Sequence, residues 1–472
     1  VLAERPRKPD DRRGAMGFME KWVAIGPVSA IALDTERPYV GEHSPVVTVD
    51  GSQERGMVQH GLALKSGTPY DGRIVLWADP GVTVAVRLVR DGGKTLSPRV
   101  GASSQWQTQR FRFEPGADTT EARLEIVGQG RGRFGVGAVS LMPADNVRGF
   151  RADTVALMKQ MNCHILRMPG GNFISAYDWE NTIGEPDRRP PVLDPVWNAV
   201  QPNDVGVDEL LQLCELIECE PFWCVNTGFG DPRSGAQLVE YVNGSADTEW
   251  GAKRAANGRA EPYRVKYWAV GNEMYGHWQY GHMARDQYTV KHNMFVDAMR
   301  KVDPDIYIVA PGGFVDEMTT GQGIFIEGQP QVHVGSDRDW AYGMFKDSWG
   351  RFDALGTHAY PPQNKRFDLK TGKLFDVEPG DRQAGGCKPD AQRVGAPDAR
   401  PHPHHGGCLG AVQEALPGTG EGQRQGVLRR MGLPLRGRPQ GRPGDCRRVP
   451  RVLPPHRLHR DGRLHPGHRV DE

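Results

Sequence analysis

Tyr267-Trp268-Ala269-Val270-Gly271-Asn272-Glu273-Met274 runs from apolar to polar within eight residues. Its four leading residues, Tyr267 to Val270, make a short buried strand. Gly271 permits an unusual backbone angle or a close approach, and an amide and a carboxylate follow at once. In a parallel α/β barrel such a strand end is where chemistry sits. With Trp268, Tyr275 and Trp278 as walls, Glu273 is expected to lose part of its hydration. That favours its neutral form and suits a general acid. Taken alone, an Asn-Glu pair reads first as a helix cap or a loop contact, since strand ends are commonly polar. The surrounding chain decides between the two.

From about residue 146 strands alternate with helices. Phe150 to Met161 has helical periodicity, and Cys163 to Met168 reads as a strand running into Pro169-Gly170-Gly171-Asn172-Phe173. Asp208 to Ile217 is an amphipathic helix followed by the strand Pro221 to Asn226, and the helix Ala236 to Tyr241 precedes the strand that carries Glu273. Beyond it come the helix Tyr288 to Arg300 and the strands Ile306 to Ala310 and Ala354 to Tyr360. Because no GxGxxG opens a helix after the first strand, this succession predicts an α/β fold of the (β/α)8 barrel kind over a doubly wound sheet. Arg167, Asn172, Asn226, Asn272, Glu273, His358 and Tyr360 all fall at or just past strand C-termini. A barrel brings those ends to one pocket, and amides, an Arg, a Tyr, aromatic walls and a carboxylate suit an uncharged, polyhydroxylated ligand.

Before this region, Gly26 to Met142 shows short alternating runs such as Arg73 to Trp77, Val82 to Leu88 and Ala122 to Val127, separated by turn signals. Strands at that spacing without helices predict an antiparallel sandwich. Trp77 and Trp106 are open to a sugar-stacking reading, with core aromatics the preferred one. Across all 472 residues, 58 acidic and 59 basic side chains nearly cancel, which argues against a nucleic-acid grip or a polybasic membrane patch. No apolar run reaches the roughly 20 residues of a membrane span. The compartment, cytoplasmic or secreted, stays open. Seven cysteines form no CxxC pair, and Cys163, Cys214, Cys219 and Cys224 read as free core thiols.

Arg167-Met168-Pro169-Gly170-Gly171-Asn172-Phe173, Tyr177-Asp178-Trp179-Glu180, Gln201-Pro202-Asn203 with Gly206 and Asp208-Glu209, and Gly271-Asn272-Glu273-Met274 with Trp278-Gln279 resemble glycoside hydrolase family 51, the α-L-arabinofuranosidases. The resemblance is dense from about Ser140 to Tyr360, and the preceding sandwich resembles the carbohydrate-binding-like insertion of some members. It implies that Glu273 is the general acid/base, that Asn272 bonds the sugar 2-hydroxyl, and that Arg167 and Asn172 shape the pocket. Tyr360 would lie near the nucleophile, with His358 in the same strand-end motif. The family's other pocket Glu belongs near the barrel start, where Glu4 stands. The implied partner is an arabinose-containing oligo- or polysaccharide, with no metal, organic cofactor, nucleic acid or membrane; a homo-oligomer stays open. These enzymes retain configuration, which requires a second carboxylate about 5 to 5.5 Å from the first. In the family it comes from an Asp-Glu-Trp motif on the seventh strand, and no such motif follows Tyr360 here. The other readings are a different two-carboxylate barrel glycosidase, such as a β-xylosidase or endoglucanase, or a non-catalytic carbohydrate-binding protein.

From Gln383 to Glu472 there is no Phe, Trp or Tyr, although the whole chain is 8% aromatic. Pro, Gly, Arg and His fill the segment, and such a composition predicts disorder. Two functional readings, a metal cluster at His402, His404 and His405 and a basic RNA-binding tail, are weaker than a third. Leu409 to Leu433 can be encoded by codons that, read from the second base of Leu409's codon, give WARYKKRFPALAKGNVKVFFDEWAY. That shifted peptide is a helix, then an apolar strand ending in Asp-Glu-Trp, the seventh step the barrel lacks. The expectation is therefore a frameshift between Gly380 and Pro401. The chain would divide into a barrel-start remnant (1–25), a β-sandwich (26–143), an incomplete catalytic barrel (144–380) and an out-of-frame tail (381–472). As written it would be inactive, for want of the nucleophile.

Overall fold

The computed structural model describes residues 22–313 except 91, 92, 94, 99 and 198, residues 339–358, and the short stretches 365–368, 373–376 and 412–414. Within them the fold is mixed α/β. Nine strands come first: β1 (Val23–Ile25), β2 (Ile31–Asp34), β3 (Ser44–Asp50), β4 (Arg55–Leu64), β5 (Tyr70–Ala78), β6 (Val82–Val89), β7 (Thr95–Leu96), β8 (Gln107–Phe113) and β9 (Thr119–Pro143). All their pairings are antiparallel. The first half of β9 pairs with β4 and β6, and the second half with β3 and β5. Alternation along β6 explains the core: Val82, Val84, Val86 and Leu88 point in while Thr83 and Arg87 point out. They meet Val47, Ile74, Leu76, Ile126 and Phe134, and each such side chain contributes about 1.5–3 kcal/mol by leaving water. Trp77 is only 1% exposed, with Trp106 edge-on at 6.2 Å, so it is a core aromatic as preferred from the sequence.

The second part begins with helix α1 (Ala152–Gln160) and strand β10 (Ile165–Met168). A hairpin of β11 (Val192–Asp194) and β12 (Ala199–Gln201) follows, then α2 (Val207–Ile217), β13 (Glu220–Val225), α3 (Pro232–Asn243), α4 (Glu249–Ala256) and β14 (Tyr267–Val270). The described chain continues with α5 (Arg285–Val302), β15 (Tyr307–Pro311), α6 (Trp340–Asp347) and β16 (Ala354–Gly356). β10, β13, β14, β15 and β16 lie side by side in that order, all parallel. The remaining strands are β17 (Lys365–Asp368), paired with β18 (Lys373–Asp376), and β19 (Val412–Glu414), antiparallel to β16. The parallel strands were all foreseen: β14 has the expected ends, those of β10, β13 and β15 are shifted by one or two residues, and β16 is shorter than the stretch 354–360 expected. α4 and α6 were not foreseen.

Helix ends follow their capping residues. Asp231 accepts from the Ser234 amide at 2.8 Å, with Pro232 opening α3, and Thr248 Oγ1 accepts from the Gly251 amide at 3.2 Å at the start of α4. At α2 the Glu209 carboxylate reaches back to the Gly206 amide at 2.8 Å and is gripped by both terminal nitrogens of the buried Arg189. The sheet and helices close over Trp223, Trp268, Tyr241, Tyr288 and Phe295, all fully buried. Arg73 and Asp187 form a two-pronged ion pair at 2.7 and 2.8 Å, and Arg188 stacks 3.9 Å from the Tyr39 ring centroid. These contacts tie the β-rich part to the loop after β10. Of the expected remnant at 1–25, residues 1–21, Glu4 included, lie outside the described residues, while Val23–Ile25 form β1 and pair with β4; the tail is outside them too except for β19. Within the segment expected to be disordered, β19 pairs antiparallel with β16.

Candidate active site

β14 sits between β13 and β15, which is why Trp268, Ala269 and Val270 are buried from both faces. At its end Gly271 adopts φ +90°, and a Cβ there would stand 2.0 Å from Thr227 Oγ1. Only glycine lets the chain leave the sheet at this point. Glu273 itself has φ +43°, a left-handed conformation that costs a side-chain-bearing residue roughly 1–3 kcal/mol. Strain held at a buried carboxylate marks a site where position matters more than stability.

Glu273 is 5% exposed and both its oxygens are engaged. His358 Nδ1 lies 2.6 Å from Oε1, and the Trp278 indole N–H donates to Oε2 at 2.7 Å. Burial by itself pushes the Glu273 pKa up. The hydrogen bonds from His358 and Trp278, with the charges of His358 and Arg167, outweigh it, so the net direction is downward. This corrects the sequence expectation that desolvation would favour the neutral form: aromatic walls were read as apolar, yet one of them points its N–H at the carboxylate. In this arrangement Glu273 is held as the anion.

A second set of contacts begins one residue earlier. Arg167, from the middle of β10, donates through Nη2 to Asn272 Oδ1 at 2.7 Å. Asn272 Nδ2 donates to Gln279 Oε1 at 3.0 Å, and Gln279 Nε2 in turn reaches Ser175 Oγ and the Asn172 carbonyl, the latter at 3.5 Å. Thus Arg167, Asn172, Asn272, Glu273 and His358 are brought together at the strand ends, Asn172 through its backbone. Tyr360 lies outside the described residues. Asn226, also read as a pocket amide, instead caps its own loop, since its Oδ1 accepts from the amides of Gly228, Phe229 and Gly230. Sequence reading missed Gln279 and Ser175 as partners and Trp278 as a donor; an amide seven residues past Asn272, in a glycine-rich turn, was the available signal. Among the described residues no group of three or more His, Cys, Asp or Glu is placed to hold a metal, and no helix is long and apolar enough to cross a membrane.

The comparisons with known proteins agree with the resemblance to family 51. The family described as "Alpha-L-arabinofuranosidase 1 domain" matches residues 157–347. A probable α-L-arabinofuranosidase C of Aspergillus fumigatus is 38% identical over 170 residues, covering 36% of this chain and 34% of the relative. An intracellular exo-α-(1->5)-L-arabinofuranosidase of Acetivibrio thermocellus is 38% identical over 172 residues, again 36% and 34%. The chain therefore spans about a third of the length of these relatives. An arabinose-bound family 51 α-L-arabinofuranosidase superposes with a TM-score of 0.54 at 20% identity, over 61% of this chain and 52% of that one, a likeness of fold alone.

Proposed function

We propose that this chain, whose residues 157–347 carry the α-L-arabinofuranosidase domain of glycoside hydrolase family 51, comes from a gene for a retaining, exo-acting α-L-arabinofuranosidase. Its substrates are terminal non-reducing arabinofuranosides of arabinose-containing oligo- and polysaccharides. The observation that carries the reading is Glu273, a carboxylate 5% exposed at a parallel strand end, next to an amide held by a guanidinium. In the first step the Glu273 carboxyl protonates the departing glycosidic oxygen while a second carboxylate bonds the anomeric carbon. In the second step Glu273 takes a proton from the water that displaces that carboxylate. Asn272 bonds the 2-hydroxyl, Arg167 and Asn172 shape the pocket, His358 orients Glu273, and Tyr360 neighbours the nucleophile. Relatives named as arabinofuranosidases favour this reading over a β-xylosidase, an endoglucanase or a non-catalytic binder.

The downward pKa of Glu273 suits the second step, in which it acts as a base. The first step needs the proton, and a nucleophilic carboxylate about 5 to 5.5 Å away supplies the reason to hold it, since two like charges resist ionising together. Once the nucleophile is esterified by the sugar its charge is gone, and Glu273 returns to the anionic form described above. The nucleophile thus sets the protonation state of its partner.

In the reading proposed here, that nucleophile is encoded out of frame within 409–433, the five parallel strands are part of a (β/α)8 barrel, and 26–143 is an inserted carbohydrate-binding-like sandwich. The divisions at 1–25, 144–380 and 381–472 complete the scheme. The 472-residue chain as written then releases no arabinose. Restoring the frame between Gly380 and Pro401 is expected to yield a protein that liberates 4-nitrophenol from 4-nitrophenyl α-L-arabinofuranoside, while the present chain does not. A frame-restored protein that cleaves the β-xyloside instead, or neither glycoside, overturns the reading.

A further inference from the structure

We infer that Gln279 is a positioning residue: it fixes which way the Asn272 amide faces, and through it the recognition of the sugar 2-hydroxyl. This inference rests on the pocket reading above and adds a residue to which that reading gives no role. Gln279 is fully buried, although the loop that carries it follows a strand end and ends in the exposed Tyr280. Its two amide ends face different partners. Oε1 accepts from Asn272 Nδ2 at 3.0 Å, and Nε2 reaches Ser175 Oγ and the Asn172 carbonyl oxygen.

Polarity sets the orientation of both amides. An amide side chain fits its site in two orientations unless its partners discriminate between oxygen and nitrogen. Here the line of contacts runs Arg167, Asn272, Gln279, Asn172, and both of its ends are unambiguous. A guanidinium only donates, so Asn272 must turn Oδ1 toward Arg167. A backbone carbonyl only accepts, so Gln279 must turn Nε2 toward Asn172. The two amides in the middle are then locked head to tail, Nδ2 to Oε1. Among the described residues Asn272 has one N–H and one lone pair left, in a fixed order, to present to a sugar hydroxyl. Without Gln279 only the Arg167 end constrains Asn272, and its Nδ2 loses the acceptor that holds it.

A residue that merely fills space affects all ligands alike, whereas one that orients Asn272 affects discrimination between them. The full 472-residue chain is titrated by calorimetry with methyl α-L-arabinofuranoside and with its 2-deoxy counterpart. The parent is expected to prefer the sugar with the 2-hydroxyl. Gln279→Met, which keeps volume and drops both polar ends, is expected to bind that sugar about tenfold more weakly and the 2-deoxy sugar unchanged. Gln279→Glu keeps an acceptor facing Asn272 and is expected to retain the preference. Equal weakening toward both sugars in Gln279→Met, or loss of the preference in Gln279→Glu, overturns the inference; should Gln279→Met fail to fold, the Gln279→Glu result decides alone. A parent chain that binds neither sugar overturns the pocket reading itself, a separate outcome from a parent that binds and variants that do not discriminate.

Discussion

Residues 22–143 and residues 144–358 bury different kinds of side chain. Among the described residues Ser44 is the one buried polar side chain of the first stretch, whereas the second buries Arg189, Asn203, Arg254, Asn272, Glu273, Gln279 and His292 among others. The β-rich part keeps its charges in surface pairs such as Arg112 with Asp71, each more than half exposed, and takes its stability from apolar area. The α/β part accepts the cost of desolvating polar groups and meets it with partners, so that it is stable only as a network. The same chain thus separates a region where hydrophobicity suffices from one where orientation is built in, and the candidate site lies in the second.

Arg189 shows the contrast between the two regions most plainly. Its side chain is 2% exposed, its guanidinium grips Glu209 at 2.8 and 2.9 Å, and it also serves the carbonyls of Gly184 and Asn203. Arg189→Met orphans all of them and is expected to cost on the order of 3–5 kcal/mol in urea unfolding. A loss below about 1 kcal/mol would mean that buried ions in this region are incidental.

His292 gives the next largest effect, and one that depends on pH. Burial holds its pKa down at about 4 against the ordinary 6.5, the hydrogen bond with Asn293 opposing and the charges of Arg300 and Arg351 assisting. Above pH 6.5 the ring is neutral in both folded and unfolded chains. As pH falls from there toward 4 the unfolded chain takes up a proton that the folded chain refuses, so stability drops by on the order of 3 kcal/mol and levels off below. His292→Gln should flatten that part of the urea-midpoint profile; identical pH slopes for parent and variant would contradict the assignment. At the small end, Arg112→Ala in the β-rich part is expected to change stability by less than about 1 kcal/mol, since exposed pairs contribute little. A larger loss in the same unfolding experiment would erase the contrast between the regions.

The parallel strands were legible because a run such as Tyr267 to Val270, flat in hydrophobicity and ended by a glycine, has few other solutions. α4 was not, because its inward residues are Trp250 and Arg254, and a buried arginine breaks the apolar periodicity that reveals a helix. Glu273 was legible from its place at a strand end. Its protonation was not, because that depends on His358, 85 positions away, and on an indole N–H whose direction no spacing encodes. Asn226 resembles Asn272 in sequence context yet folds back on its own loop, since three amides of a tight turn lie closer than any pocket.

The most direct test of the account replaces Glu273 by Ala in the frame-restored protein and supplies azide with an activated aryl α-L-arabinofuranoside. If Glu273 is the acid/base of a retaining enzyme, turnover with water falls by about 10²–10⁴-fold, and azide, which needs no base, restores it with arabinofuranosyl azide of retained α configuration as product. Azide of inverted configuration, or a variant as active as its parent, would contradict the role assigned to the carboxylate at the end of β14.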